Sequence, residues 1–475
     1  MRKPLFAALL ALLLGGCMMG PDYFRPAVET PPAWRLTEQS AKDLANTAWW
    51  EQFGDPVLND LMATALRENK DLMIAAARIE EFAGNYGIVR SGLFPQVGAG
   101  YEASRQRNTL PGDVKSSTYN AYQVALSASW EIDIWGRIRR QTEAARAQLL
   151  ASEEGRRGVI LSLVGSVAGS YINLRSLDRQ LEIARETAKS RGESYEIFKL
   201  RFSGGVISQL ELSQNKSQYD EALASIPPLE KAVAQQENGL SVLLGRNPGP
   251  IPRGKSIDQL ALPAIPAGLP SDLLERRPDL RRAEQDLVAA NALIGAAKAA
   301  YFPRISLTGL FGFASLDLGN LFDSASKVWQ YAAPISMPIF TAGGLAGQLQ
   351  AAEAVQQQAL FGYQKAIQEA FREVNDELVS QDRTGAQLKA QKEQVQSLTQ
   401  YSEIARLRYD NGYTSYIEVL DAERSLFNAQ LQYTQTQQAQ FQAMTNLYKA
   451  MGGGWVTEAE KMGASPAGKS AAAGG

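Results

Sequence analysis

Four stretches of the chain alternate apolar and polar residues with a period of two. In the first, Val97, Ala99, Tyr101 and Ala103 alternate with Gln96, Gly98, Gly100 and Glu102. The second sets Tyr122, Val124, Leu126, Ala128, Trp130 and Ile132 against Gln123, Ser127, Ser129, Glu131 and Asp133. The third sets Ile305, Leu307, Phe311 and Phe313 against Arg304, Ser306, Thr308 and Gly312, and the fourth carries Trp329, Tyr331, Ile335, Met337 and Ile339 on one side. This alternation predicts strands at about 96–107, 119–133, 304–315 and 328–340, each near the ten or so residues of a tilted membrane strand. A half-buried sheet of a soluble protein alternates in the same way. Tyr101, Tyr122, Trp130, Phe302, Trp329 and Tyr331 lie toward strand ends, where interfacial girdles collect, and this favours membrane strands. Pro334 and Pro338 deprive the fourth strand of ladder donors, so it should be short or irregular. The polar segments Gln106–Ser117 and Leu316–Lys327 read as hairpin loops on one common side.

Between and after the strands the pattern changes to long proline-poor stretches, predicting helices at 136–202, 207–245, 343–409 and 414–451, with only Pro227-Pro228 interrupting the second. Some 65 helical residues reach about 100 Å, far beyond an ordinary globular helix. Leu388, Val395, Ser402 and Tyr409 recur every seven residues, interleaved with Gln391, Leu398 and Ala405. Small and polar seam residues suit a broad helical barrel; a solid helical bundle is the alternative.

The two halves repeat each other. Asp71-Leu72 and Phe94-Pro95 return as Asp279-Leu280 and Phe302-Pro303, 208 positions on. Ile132–Ala145 returns as Ile339–Ala352, and Leu200-Arg201-Phe202-Ser203-Gly204-Gly205 as Leu407-Arg408-Tyr409-Asp410-Asn411-Gly412, with Glu211 falling on Glu418, all at 207. A tandem duplication follows, with a first repeat at 55–246, an extended Pro- and Gly-rich linker at 247–270 and a second repeat at 271–452. Asp55-Pro56 reads as cap and first helical residue, and Ser271, with Asp272 and Glu275 in the first turn, as the corresponding cap of the second copy. The tail at 453–475 reads as flexible.

At the other end, Met1-Arg2-Lys3, an apolar run from Leu5 to Leu14 and Gly15-Gly16 before Cys17 describe a secretory signal at 1–16. Cys17 is the one cysteine, so it cannot form an intramolecular disulfide; its place resembles a lipobox, with Gly15 a slight departure from the usual residue, and a lipobox would make 17–54 a lipid-anchored N-terminal segment, the alternative being an ordinary signal peptide with an incidental cysteine. Met18 stands where an aspartate would favour inner-membrane retention. Composition narrows the chemistry further. The chain has no histidine among 475 residues, which removes the commonest general base, the Ser-His and Cys-His pairs and His-based metal sites. No catalytic constellation and no cofactor is expected, apart from the covalent lipid on Cys17. A net charge of −2 gives no field to attract nucleic acid. No apolar run of membrane-helix length follows the signal; the nearest, Val159–Leu174, is broken by Ser162, Gly165, Ser166, Gly169, Ser170 and Asn173. A membrane passage must then be a closed β-barrel. Four strands cannot close one, because such barrels begin at eight, so strands from other copies are required: two copies give eight, three give twelve.

The lipobox, Gly20-Pro21-Asp22-Tyr23 with Arg25-Pro26, the duplicated copies and the paired Leu-Arg-aromatic motifs resemble the TolC-like outer-membrane factor family, in its lipoprotein branch serving resistance-nodulation-division efflux pumps. The resemblance covers Cys17 to about Trp455. It implies a mainly α fold with a membrane portion: a homotrimer with a twelve-stranded outer-membrane β-barrel continuous with a periplasmic α-helical barrel, and a belt built from the linker and chain ends. It implies a passive exit duct working with a periplasmic adaptor and an inner-membrane transporter, anchored in outer-membrane lipid. The tips at Ser203–Glu211 and Asp410–Glu418 would close the duct and meet the adaptor. Gly204, Gly205 and Asn411-Gly412 can supply a positive-φ turn, and Glu211 and Tyr409 match the family's gate positions. Asp410, Gly412, Thr414 and Glu418 complete the candidate set. Thr414 stands where some members place an arginine, which argues against a strict arginine–carboxylate lock. Solvated helix-tip charge is the plain alternative for Glu211 and Glu418. A type I secretion duct shares this architecture, and a non-conducting structural lipoprotein is the remaining alternative.

Overall fold

The computed structural model describes residues 18–27, 30–31, 34, 48–109, 116–265 and 270–453. The signal segment, Cys17 and the tail beyond 453 lie outside the described residues.

The two repeats correspond from their 22-residue helices onward. Helices α1 (Pro56–Glu68) and α2 (Lys70–Ser91) lead into strands β1 (Gln96–Thr109) and β2 (Ser116–Ile132), then α3 (Arg137–Ser203) and α4 (Gln209–Leu243). The second repeat gives α5 (Pro278–Ala299), β3 (Arg304–Ser315), β4 (Lys327–Ala332) with the two-residue continuation β5 (Ile335–Ser336), α6 (Gly344–Asp410) and α7 (Tyr416–Ala450). Both α3 and α6 have 67 residues, α4 and α7 have 35, and α2 and α5 have 22. A residue in one repeat can therefore be compared with its counterpart position by position. At about 1.5 Å per residue the longest pair reach roughly 100 Å.

The chain folds as two compact units, one of 1–28, 77–153 and 282–365, the other of 29–76, 154–281 and 366–475. The first holds an antiparallel sheet in the order β1-β2-β3-β4. Its register puts Val97, Ala128, Gly309 and Tyr331 in one row, Ala99, Leu126, Phe311 and Trp329 in the next, and Tyr101, Val124, Phe313 and Lys327 beyond. Because side chains alternate along each strand, these rows share a face. On it Val97, Tyr101, Leu126, Phe311, Trp329 and Tyr331 are all more than half exposed. The other face carries Gly98, Ser127, Leu310 and Gln330, then Gly100, Ala125, Gly312 and Val328. An exposed face richer in large apolar side chains than the opposite one inverts the soluble pattern and suits lipid outside and water inside.

Two expectations need correction here. The first hairpin loop is shorter than 106–117, because the ladder runs on to Thr109 opposite Ser116. The aromatics do not all form girdles: the Trp130 indole donates to the Leu93 carbonyl at 3.0 Å, Phe302 stacks on Trp135 with centroids 4.7 Å apart, and Tyr101 sits within β1. Trp329 and Tyr331 do stand exposed, stacked at 5.6 Å. The fourth strand is broken as the prolines foretold, between Ala332 and Ile335. Ser306 N–H still donates to the Pro334 carbonyl at 3.1 Å, whereas Pro334 has no N–H to return.

In the second unit the Asp55 carboxylate caps α1 by accepting from Val57 N–H at 2.9 Å, with Pro56 at the first helical position, as expected. The second copy differs. Ser271 lies in a short 3-10 turn (Pro270–Asp272) that feeds a single helical turn, Leu273–Arg276, and the long helix restarts only at Pro278. Arg277 is extended there, as a residue preceding proline prefers, so the helix breaks before it. The linker is extended but packed, with Ile251, Ile257 and Leu260 buried. Trp49 stacks on Tyr448 at 4.9 Å, and the Tyr448 hydroxyl donates to the Ala264 carbonyl at 2.6 Å. The apolar run Val159–Leu174 is core: Ile160, Val164, Val167, Ala168, Tyr171, Ile172 and Leu174 are essentially inaccessible. That burial explains why α3 alone, among the described residues, is long and apolar enough by composition to cross a membrane.

Candidate functional site

The helix pairs α3–α4 and α6–α7 turn through the same backbone. Gly205 N–H donates to the Phe202 carbonyl and Val206 N–H to that of Arg201, both at 2.9 Å; Gly412 to Tyr409 and Tyr413 to Arg408 repeat this at 2.9 Å. This is a Schellman closure, and it needs a left-handed residue, supplied by Gly205 at φ +73° and Gly412 at +77°. Gly204 and Asn411, just past the helix ends, keep the helical bonding pattern, their N–H groups donating to Leu200 and Leu407, so only one residue of each predicted pair performs the reversal.

Side-chain chemistry then separates the two turns. Glu211 closes a capping box: its carboxylate accepts from Ser208 N–H at 2.8 Å, while Glu211 N–H donates to the Ser208 hydroxyl at 3.2 Å. Ser415, the counterpart of Ser208, makes no side-chain cap bond, and Glu418 instead stands 3.7 Å from Arg408. Asp410 stands 3.7 Å from Arg406. The Thr414 hydroxyl is shielded from solvent and has no hydrogen-bond partner.

Tyr409 is half-buried against Phe198 and Tyr416, with ring centroids at 6.0 and 5.0 Å. Burial pushes its phenol above the usual range; the neighbouring Glu211 charge adds to this, while Arg201, which hydrogen-bonds to it, and Arg406 oppose it. Glu211, Arg201 and Tyr409 therefore share one neighbourhood, which joins the first turn to the second. Arg201 also lies over the Phe198 ring at 5.9 Å.

Under the turns lies a polar cluster that sequence reasoning missed. Asn215 donates to the Tyr416 hydroxyl at 2.5 Å and to Ser194 Oγ at 3.2 Å, and Arg406 reaches Ser194 at 3.4 Å and Glu423 at 3.7 Å. Arg191, buried, donates to the Gln218 carbonyl at 2.9 Å and lies 5.6 Å from the Phe427 ring centre. Burial holds its guanidinium below the ordinary value and pushes the Glu423 carboxyl up, with Arg406 and Arg191 opposing the latter. These residues come from four helices and share no local motif, so no signal in the sequence marked them.

Each turn also presents apolar side chains to solvent at matching positions. Ile197, Leu200, Val206 and Leu210 are exposed, and so are Ile404, Leu407, Tyr413 and Ile417, each 207 residues on. An exposed apolar set repeated position for position is the mark of a contact surface.

A duplicated chain with an outward apolar sheet face, paired helices of about 100 Å and two matched helical turns defines a class, the subunits of outer-membrane ducts. The chain belongs to the outer membrane efflux protein family, whose model matches residues 61–246 and 269–453, one match per repeat. It is 40% identical over 464 residues to the solvent efflux pump outer membrane protein SrpC of Pseudomonas putida, covering 95% of this chain and 98% of that one. It is 38% identical over 452 residues to the cation efflux system protein CusC of Escherichia coli, covering 94% and 97%. The crystal structure of the open state of the Neisseria gonorrhoeae MtrE outer membrane channel superposes with a TM-score of 0.83 at 33% identity, covering 92% of this chain and 99% of that one. The protein is thus an outer-membrane efflux component of TolC-like fold, mainly α with a β portion.

Proposed function

We propose that three copies of the chain close a twelve-stranded barrel and a helical barrel, forming a passive exit duct that takes cargo from an inner-membrane transporter through a periplasmic adaptor. The observation that carries the reading is the unequal treatment of equivalent surfaces. Within the chain, α5 packs on α3 through Ala289 and Ala292 against Ala144 and Ala147. The corresponding surfaces on α2 and α6 are bare: Ile88 is 71% exposed where its counterpart Ala296 is 8% exposed, and Ala351 and Ala354 are exposed where Ala144 and Ala147 are buried. A neighbouring copy that laid its α2 on α6 would repeat the internal contact. It would also bring β1 to the open edge of β4, repeating the β2–β3 pairing, and so remove the edges that an isolated sheet leaves unpaired. Strand arithmetic allows two or three copies, and the family resemblance sets three.

In this reading Cys17 carries the lipid that anchors the chain in the outer membrane, the helical turns form the periplasmic gate, and their repeated exposed apolar residues meet the adaptor. The relatives' association with solvent and cation efflux supports a pump duct over a protein-secretion duct. Mass measurement of the detergent-extracted protein, combined with conductance in a planar bilayer, tests the proposal. A trimer with small conductance is expected; a non-conducting monomer or dimer would overturn it and favour a structural lipoprotein.

A further inference from the structure

The duplication preserves strand register as well as element order. Shifting β1 by 208 and β2 by 207 carries Tyr101 opposite Val124 onto Gly309 opposite Tyr331, and Gln96 opposite Ser129 onto Arg304 opposite Ser336; both of these pairings are present in the second hairpin. The same shifts turn the β2–β3 seam inside one chain into the seam between β4 of one copy and β1 of the next. Val124 opposite Phe313 becomes Tyr331 opposite Arg105, Gln123 opposite Ala314 becomes Gln330 opposite Gln106, and Tyr122 opposite Ser315 becomes Trp329 opposite Arg107. Arg105 and Arg107 are exposed and lie an even number of residues from Tyr101 in an unbroken ladder, so they share its apolar face. Trp329 and Tyr331 stand on that face at the open edge of the sheet as a parallel stack, 5.6 Å apart.

We infer that the seam between copies is locked on its apolar side by guanidinium–aromatic pairs, Arg105 of one copy against Tyr331 of its neighbour and Arg107 against Trp329. This rests on the proposed assembly and gives its seam a register and a chemistry. Directly opposed side chains have Cβ atoms about 4.5–5.5 Å apart and diagonal ones about 7–8 Å, so an arginine on β1 has both rings within reach. A guanidinium is attracted to the face of Trp or Tyr, and ring contact offsets the cost of carrying charge on a lipid-facing surface, a cost that falls toward the rim. The internal seam is apolar at the same row, Val124 against Phe313. The difference has a use, because no turn or helix of its own chain ties β1 of one copy to β4 of the next. A slip of two residues would keep every side chain on its face. Slipped one way, Arg107 comes opposite Lys327, like charge against like; slipped the other way, Arg105 leaves the stack and comes opposite Ala333. Only the register given by the repeat sets both cations against both rings.

The test is disulfide cross-linking of the full-length chain in its membrane. Gln106 and Gln330 lie on the face away from the arginines and rings, so cysteines there report register without touching the lock. Within one chain β2 and β3 stand between them, and three strand spacings of about 4.8 Å exceed the reach of a disulfide. Gln106→Cys with Gln330→Cys should give covalent oligomer on oxidation at several-fold the yield of Glu102→Cys with Gln330→Cys, which is on the same face but out of register; each single variant, still holding Cys17, sets the background. The lock is read from the yield of heat-resistant oligomer. Arg107→Leu and Trp329→Leu should each lower it several-fold, Arg107→Lys should retain most of it, and the Arg107→Leu, Trp329→Leu double variant should be no worse than the worse single one. Equal cross-linking of the two cysteine pairs, or an Arg107→Leu oligomer as heat-resistant as wild type, would overturn the inference. A monomeric mass for the wild-type chain would instead overturn the assembly on which it rests.

Discussion

Glu211 and Glu418 occupy equivalent places on the two helical turns, yet Glu211 is bound into its own helix cap while Glu418 faces Arg408 across 3.7 Å. One carboxylate thus has a local structural task that its counterpart lacks. Glutamine can replace glutamate in a capping box, whereas alanine cannot. Glu211→Gln should therefore leave the cap intact while removing the charge beside Arg201 and Tyr409, and single-channel conductance in planar bilayers should rise. Glu211→Ala should add a loss of about 1 kcal/mol of cap stability, seen as faster hydrogen exchange over the first turn of α4. Equal conductance in wild type and Glu211→Gln would leave this residue a cap only.

Tyr409 links the turns through Arg201 and its two ring neighbours. Tyr409→Phe keeps the ring packing and removes one hydrogen bond to a charged group, worth about 1.5–3 kcal/mol; conductance should rise here too. Burial raises the phenol's pKa, so the neutral form is the one the fold favours. Its stabilisation is complete below the ordinary tyrosine value and is lost only as pH climbs through the raised one. The Tyr409→Phe effect on conductance should accordingly be constant from pH 6 to about 9, and a slope across that range would assign the effect to another group.

The duplication, the four strands and the four long helices were legible in the sequence because each rests on a period or a repeat that a single residue cannot disturb. The broken fourth strand was legible at Pro334 for the same reason, as an absent donor is a property of the residue itself. The restart at Pro278 was not, because Ser271 and Asp272 look like a cap whatever follows, and the decision belongs to Arg277. The candidate site was half legible. Gly205 and Gly412 follow from turn chemistry, but the Arg191, Asn215, Arg406, Tyr416 and Glu423 cluster is assembled from four helices by packing, which leaves no trace in local spacing.

Phe311 and Ser127 lie on opposite faces of adjacent strands, and the Phe311 face is the exposed apolar one. Phe311→Arg should cost about 2–4 kcal/mol in the bilayer and reduce the heat-resistant oligomer in outer-membrane fractions sharply. Ser127→Arg, aimed at the polar side, should assemble normally and alter ion selectivity. Similar assembly of the two variants would mean the faces have been assigned the wrong way round.

Glu423 gives a dependence on mild acid. Its carboxyl is raised by burial, with Arg406 and Arg191 only partly opposing. The folded state therefore binds its proton more readily than the unfolded state does, so this group's contribution to stability is full below the unfolded value near 4.5 and declines as pH rises through the folded one. Glu423→Gln, which mimics the protonated form, should be more stable than wild type at pH 7, with the difference closing as pH falls toward about 4.5. Thermal melts in detergent at several pH values would read this; a difference that widens on acidification would show that the ion pairs with Arg406 and Arg191 outweigh burial.

Asp55 ties three segments of the chain together. Its inaccessible carboxylate accepts from Val57 N–H at 2.9 Å, from Lys255 N–H in the linker at 2.9 Å and from the Tyr171 hydroxyl at 2.7 Å, while Gly254 N–H donates to that hydroxyl at 3.0 Å. Gly254 has to be glycine because a side chain would occupy the Asp55 carboxylate. Asp55→Ala would remove a helix cap and leave buried donors unpaired, at about 1–3 kcal/mol for each group so stranded, so a total of about 3 kcal/mol or more is expected. Tyr171→Phe removes one bond and should cost about 1 kcal/mol. The double variant should cost less than the sum, since the two share a bond. Denaturant unfolding in detergent, with the exposed Asp60→Ala as control, would measure all four. Additive losses for Asp55 and Tyr171 would mean the linker is held by its apolar contacts through Ile251, Ile257 and Leu260 and not by this carboxylate.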